Sequence, residues 1–279
     1  MRVTDIKLLK PGQVRGLEWT QRWEVGYTPI SSWQSHEIKH IQVTEGYTVN
    51  PVRLSVRRFV AQERDSLQRT WVENGIEKSV ILPPYAIVDH AEAKATYIYS
   101  INQGVMTCCQ KVLENTHLMI KRTYGLALSM AVGNTADIKD RNMLRKVLRL
   151  WTAVRMTTQS TYIVGDEYLG VKPSTGGDTG SLHGNVPIPP VMGAQIDQIL
   201  VHELQYTWQG EVLADLEVLL QVWSPSSWVV GYLAVFILLH NLSLLCRYDA
   251  SYARKHGIKV RKTPTVRNSL PLYHSSDGA

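Results

Sequence analysis

Apolar and polar residues alternate from residue 38 onward. Ile41 and Val43 form one apolar set, Val52, Leu54 and Val56 the next, and Arg53, Ser55 and Arg57 fall on the opposite face. A period of two predicts an antiparallel pair with one face on a core and one toward water, turning at Glu45-Gly46. Thr70-Trp71-Val72 and Val80-Ile81-Leu82 flank Asn74-Gly75, the residues that suit a type I′ turn, and so predict a second hairpin. Pro83-Pro84 ends it, because proline donates nothing to a ladder. Residues 38–84 therefore read as an antiparallel β unit. Residues 1–37, with Trp19, Trp23 and Trp33 among Gly and Pro, read as an irregular segment that packs aromatic anchors.

After Tyr85 the spacing becomes helical. Asp89 is placed to cap a helix through about Asn102, ended by Gly104, and a second helix is predicted over Met106–Ala131. Leu144, Val147, Leu148, Trp151 and Val154 make a clean stripe, while Arg141, Arg145 and Arg149 repeat on what should be a solvated face. Residues 165–190 hold six glycines and four prolines and predict a long loop interrupting a helical domain over 85–257. Beyond it, a helix from about Gly193 to Trp223 should turn Ile196, Leu200, Leu204, Val212, Leu216 and Leu219 inward. Ser224 and Pro225 then suit the start of a last helix, with Arg254, Lys255 and His256 in its final turn and Gly257 beyond. The fold class expected is α+β: two hairpins packed on a mainly helical body with a long apolar C-terminal helix.

Val229–Cys246 is nearly long enough to span a bilayer. His240, Asn241 and Ser243 would each need a partner in lipid, so a buried core helix is the favoured reading and a membrane-associated protein the weaker alternative. The chain has 279 residues, 44% of them hydrophobic and 19% charged, which excludes a disordered solvating chain. Three cysteines make no disulfide framework, and no secretory apolar run opens the chain, so an intracellular setting is expected. Residues 247–267 carry seven basic side chains and one acidic one, a surplus equal to the net charge of +6 of the whole chain. Helix-end compensation accounts for Arg254 and Lys255. Lys259, Arg261 and Lys262, in a flexible tail over 258–279, are candidate contacts for an acidic partner.

Catalytic signatures fail one by one. Asp178-Thr179-Gly180-Ser181 has the form of an aspartic-protease loop but lacks a second copy and an apolar strand before it. His202-Glu203 has Tyr206 where a zinc-protease helix needs its second histidine. No phosphate loop, nucleophile elbow or dinucleotide fingerprint is present. Cys108-Cys109 has no matching Cys/His cluster and reads as packing. No catalytic residue, metal ligand or cofactor is assigned. The polar pair worth singling out is His240-Asn241 inside the most apolar helix. It should be satisfied by a neighbour, with Gln195, Gln198 or His202 on the preceding helix as expected partners.

Long blocks of the chain resemble a family of filamentous-fungal, transcription-factor-like proteins. They are WTQRW (19–23), LQRTWVENG (67–75) followed by ILPPYAI (81–87), LRLWTAVRMTTQSTYIVGDEYLG (148–170), LHGNVPIPPVMGAQID (182–197) and FILLHNLSLLCRYDASYARKHG (236–257). The resemblance implies a helical regulatory domain and a nuclear setting, with cytoplasm the alternative. Many such proteins carry an N-terminal binuclear zinc cluster, which needs six thiolates, and this chain has three cysteines with none before Cys108. In such proteins an apolar helix usually follows the Tyr-His-Ser step. Here Tyr273-His274-Ser275 stands four residues from the end, which predicts a missing core helix and an exposed patch. The function expected is a non-catalytic, transcription-regulator-like interaction protein that takes a protein partner, with an oligomer as one option, and binds no specific DNA sequence by itself. The alternative is an enzyme or small-molecule binder with a pocket near His240 and Asn241.

Overall fold

A computed structural model describes residues 2–8, 23–28, 30, 32–63, 65–73, 76–133, 137–171, 186–221 and 225–255. Strands β1 (Arg2–Leu8) and β2 (Trp23–Thr28) pair antiparallel, with Arg2 opposite Thr28 and Leu8 opposite Trp23. The first segment is thus partly a hairpin, where an irregular chain was expected. Trp23, Val25 and Tyr27 already alternate with Glu24, Gly26 and Thr28, a β pattern that the tryptophan and glycine content obscured.

Strands β3 (Trp33–Thr44) and β4 (Val52–Phe59) form the expected antiparallel pair, Ile41 opposite Leu54 and Val43 opposite Val52. Ile41, Val43, Val52, Leu54 and Val56 are buried, while Arg53 on the other face is exposed. The second hairpin is a separate sheet of β5 (Gln68–Glu73) and β6 (Ile76–Ile81). Its turn, Asn74-Gly75, lies outside the described residues, but the pairing of Glu73 with Ile76 leaves room for only a two-residue connection.

Three short strands join the main sheet from the region read as helical. They are β7 (Tyr85–Ile87), β8 (Tyr162–Val164) and β9 (Val186–Pro187), in the order β7-β4-β3-β8-β9. Two or three residues cannot display a period, which is why the alternation pattern missed them. The Gly/Pro-rich loop is consequently pinned at both ends: Leu169, Val186 and Ile188 are buried. Residues 172–185, including Asp178-Thr179-Gly180-Ser181, lie outside the described residues.

Asp89 caps α1 (His90–Leu113), its carboxylate accepting from the Glu92 N–H at 2.9 Å. The helix does not stop at Gly104. That glycine is where the β3–β4 connection presses on the helix: a Cβ there would lie 2.6 Å from Thr48 Cγ2. The predicted 106–131 helix is really two. Thr116 turns back onto the Leu113 carbonyl through its N–H (3.0 Å) and hydroxyl (2.8 Å), and His117 caps α2 (Leu118–Val132). Helix α3 (Ile138–Met156) buries Leu144, Val147, Leu148, Trp151 and Val154 as expected, and packs against α1, α2 and later helices. It is the centre of the body.

The run from Pro190 to Gln221 is continuous but not uniform. Helix α4 (Pro190–Asp197) leads into a π-helical stretch (Gln198–Gln205) and then α5 (Tyr206–Gln221). Ile196, Leu200, Leu204 and Val212 are buried, as their spacing predicted. One connected cluster of buried residues extends from β3 and β4 through α1 and α3 to α6 (Pro225–Lys255). The structure therefore has the expected α+β architecture.

Helix α6 departs from expectation in its burial. It is long and apolar enough to cross a membrane, yet only 33% of its most apolar window is buried. Val230, Leu233, Ala234, Ile237 and Asn241 face the body; Trp228, Tyr232, Leu239 and Leu242 face outward. The predicted core helix is buried along one side alone, because four neighbouring helices already enclose α3 from the other directions.

Candidate functional site

His240 projects from α6 toward α2, where its Nδ1 is 2.9 Å from the Tyr124 hydroxyl. The partner is thus Tyr124, and the expected partners lie elsewhere. Gln195 holds β7 through the Ile87 main chain, accepting its N–H at 2.8 Å and donating to its carbonyl at 3.2 Å. Gln198 has a buried Oε1 with no hydrogen-bond partner among the described residues, and His202 stands on the exposed side of the π stretch. The π stretch that carries Gln198 and His202 packs on α1 and α3, and α4, which carries Gln195, packs on β7.

Aromatic rings surround the Tyr124–His240 pair. Tyr124 packs on Trp151 at 5.2 Å between ring centroids, and Phe236 stacks on His240 at 6.2 Å. Burial, with the positive charges of Arg155 and Arg247 nearby, holds the imidazole below its ordinary pKa. Burial likewise raises the Tyr124 phenol. Neutral histidine and neutral phenol make a hydrogen bond without charge, which fits a packed interior. Asn241 is 6% exposed, and its Oδ1 has no hydrogen-bond partner among the described residues.

Sequence reasoning missed Arg155. It sits one turn beyond Trp151, is 4% exposed, and its Nε and Nη2 lack hydrogen-bond partners among the described residues. Burial depresses its pKa, with Tyr47, Cys108 and Tyr124 as its ionisable neighbours. An arginine one turn from a stripe residue leaves no mark in a charge count. The Cys108 and Cys109 thiols are buried, Cys109 being pushed up to about 12 by desolvation, so both stay protonated and inert as nucleophiles. The cluster joins α1, α2, α3 and α6 and presents no activated nucleophile among the described residues.

The arginine row on α3 is not the plain solvated face expected. Arg145 Nε donates to the Ala131 carbonyl at 2.7 Å, and Lys146 pairs with Asp215 at 2.7 Å. Arg149 pairs with Glu211 at 3.4 Å and stacks on Trp208. These contacts tie α3 to α2 and α5. Beside them opens a cleft of about 750 Å³, lined by Asp140, Arg145, Lys146 and Asp215 among others. A smaller apolar groove of about 250 Å³ lies between α5 and α6, lined by Leu219, Leu220, Trp228, Gly231, Tyr232 and Val235. Neither is lined by His240 or Asn241.

Glu203, the acidic half of the incomplete zinc-protease motif, is occupied by His90 and by Lys94, the latter at 2.8 Å. Among the described residues no group of three or more His, Cys, Asp or Glu is placed to hold a metal ion. Of the basic candidates, Arg254 is exposed in the last turn of α6 and Lys255 closes that helix. Lys259, Arg261 and Lys262 lie outside the described residues.

Comparison with known families adds what the geometry does not supply. The family model described as "KpeA transcription factor" matches residues 9–269, from before β2 to beyond the end of α6. The chain belongs to the KpeA transcription factor family. No curated protein and no solved structure matches it. The KpeA match covers the main sheet, the π stretch and every helix, so the whole α+β body is the family's unit.

Proposed function

We propose that this KpeA-family chain is a non-catalytic, transcription-regulator-like interaction protein that acts in the nucleus and does not read a DNA sequence by itself. The observation that carries the reading is the thiol set. A binuclear zinc cluster takes six thiolates; this chain has three cysteines, two of them buried side by side in α1 with raised pKa values. Its resemblance to fungal zinc-cluster factors therefore concerns their regulatory region. The basic stretch 247–267 supports weak, salt-sensitive association with nucleic acid, which is the sequence-independent mode. A protein partner supplies the specificity.

Selection from random duplexes at physiological salt tests this directly. The purified chain should enrich no motif, and a tagged chain should fractionate with the nuclear pool. Enrichment of one sequence motif, or recovery solely in carbonate-resistant membranes, would overturn the reading.

A further inference from the structure

The outward side of α6 carries a second apolar seam, distinct from the one that meets the core. Trp228, Tyr232, Val235, Leu239, Leu242 and Cys246 follow one another at spacings of four, three, four, three and four residues. That is a heptad pattern, the signature of a helix that packs along another helix. The inner seam, Val230, Ala234, Ile237 and Asn241, runs along the opposite side of the same helix and is buried. In the outer seam Trp228 is 56% exposed, Tyr232 52%, Leu239 61% and Leu242 49%, and Cys246 is also exposed.

We propose that the protein is a homodimer joined by antiparallel pairing of the outer seams of two α6 helices. Three observations select a second copy as the occupant. No Asp, Glu, Lys or Arg occurs from Ser224 to Cys246, so the seam offers a charged partner nothing and can face itself without repulsion. The seam is also self-complementary. Reversed about the level of Ile237, it sets Trp228 of one copy against Cys246 of the other, Tyr232 against Leu242, and Val235 against Leu239. Large side chains thereby meet small or medium ones throughout. Finally, with Leu220 beside the α5–α6 groove, the exposed apolar side chains amount to roughly 600 Å² per copy, near the ~800 Å² per partner of a standard interface. A parallel pair would instead bring Arg247 and Arg254 of both copies together.

A membrane is the competing occupant, and the inner seam argues against it. Helix α6 cannot enter a bilayer without stripping Val230, Leu233 and Ile237 from α3 and the core they share.

Sedimentation of the purified full chain at micromolar concentration should give twice the 31.5 kDa chain mass. Leu239→Glu should weaken dimerisation at least ~100-fold, because two unpaired carboxylates would be buried at the contact. Its thermal melt should remain cooperative, since the side chain is exposed in each copy. Val132→Glu, at an exposed apolar site on α2, should leave the dimer intact. Orientation is read by oxidation. In the wild type the two Cys246 sulfurs stand about 27 Å apart along the seam and should not link, whereas in Trp228→Cys position 228 should link to Cys246 of the other copy. A monomeric wild type, a dimer that survives Leu239→Glu, a wild-type Cys246–Cys246 disulfide, or a monomer that binds phosphatidylcholine vesicles through this seam would each overturn the proposal.

Discussion

Replacing Asn241 by leucine should stabilise the protein. Asn241 is 6% exposed on the inner side of α6, one turn beyond Ile237, and its Oδ1 has no hydrogen-bond partner among the described residues. Burying an amide oxygen without a bond costs about 1–3 kcal/mol. Leucine shares the branched outline of asparagine though it is larger, removes that cost and adds apolar contact with Ile237, one turn away on the same helix. Against this stands the added bulk in a packed interior, about 1 kcal/mol at the low end of the overpacking range. The net expectation is a gain of about 1 kcal/mol, or roughly 2–4 °C in melting temperature for a chain of this size. Urea unfolding followed by far-UV circular dichroism, with the slope unchanged, is the measurement. Tyr124→Phe is the contrasting variant. It deletes the hydroxyl 2.9 Å from His240 Nδ1 and should cost about 0.5–1.5 kcal/mol. If Asn241→Leu instead lost more than ~1 kcal/mol, the amide would be holding a bonded group, and the unpartnered reading would be wrong.

Burial raises the Glu45 carboxyl to about 7, from an ordinary 4.5, so the folded state holds an extra proton between those values and stability falls as pH rises through that window. The loss is about 3 kcal/mol by pH 8. Glu45→Gln should flatten it in urea titrations at pH 5 and 8, and an unaltered slope would refute the assignment. Gly104→Ala should cost about 1–2 kcal/mol by driving a methyl into Thr48, despite the better helix propensity of alanine. Adding Thr48→Ser, which removes the clashing Cγ2 but keeps the hydroxyl bonded to the Asn50 carbonyl, should restore most of the loss in the melt. Gln195→Met should strand both main-chain groups of Ile87, lowering stability by about 2–4 kcal/mol and abolishing hydrogen-exchange protection at that amide.

Periodicity revealed the elements long enough to express it. The β3–β4 alternation, the Asn74-Gly75 hairpin, the α3 stripe and the inward positions of 196–212 all agree with the structure. Strands β7, β8 and β9 are too short to carry a period, and they owe their conformation to the edge they complete. Gly104 misled because glycine serves two ends: it stops helices, and it admits a close neighbour, here Thr48. His240 is bonded, but to Tyr124, a residue that reads as one more apolar position in α2. Sequence spacing along α6 contained both of its seams, yet an apolar count merges them into a single greasy helix. Only the burial of one seam separates it from the other.

The place of β8 has a bearing on synthesis. Its residue Val164 pairs with Gln42, so the inner strand β3 acquires its second neighbour only after 122 further residues (164 minus 42) have been made. At about 5–20 residues per second, this edge of β3 waits roughly 6–24 seconds for β8. An unpaired edge is a template for any other strand that passes. Until Tyr162-Ile163-Val164 emerges, nothing in the main sheet covers Gln42-Val43-Thr44, and that edge stays open to a wrong strand.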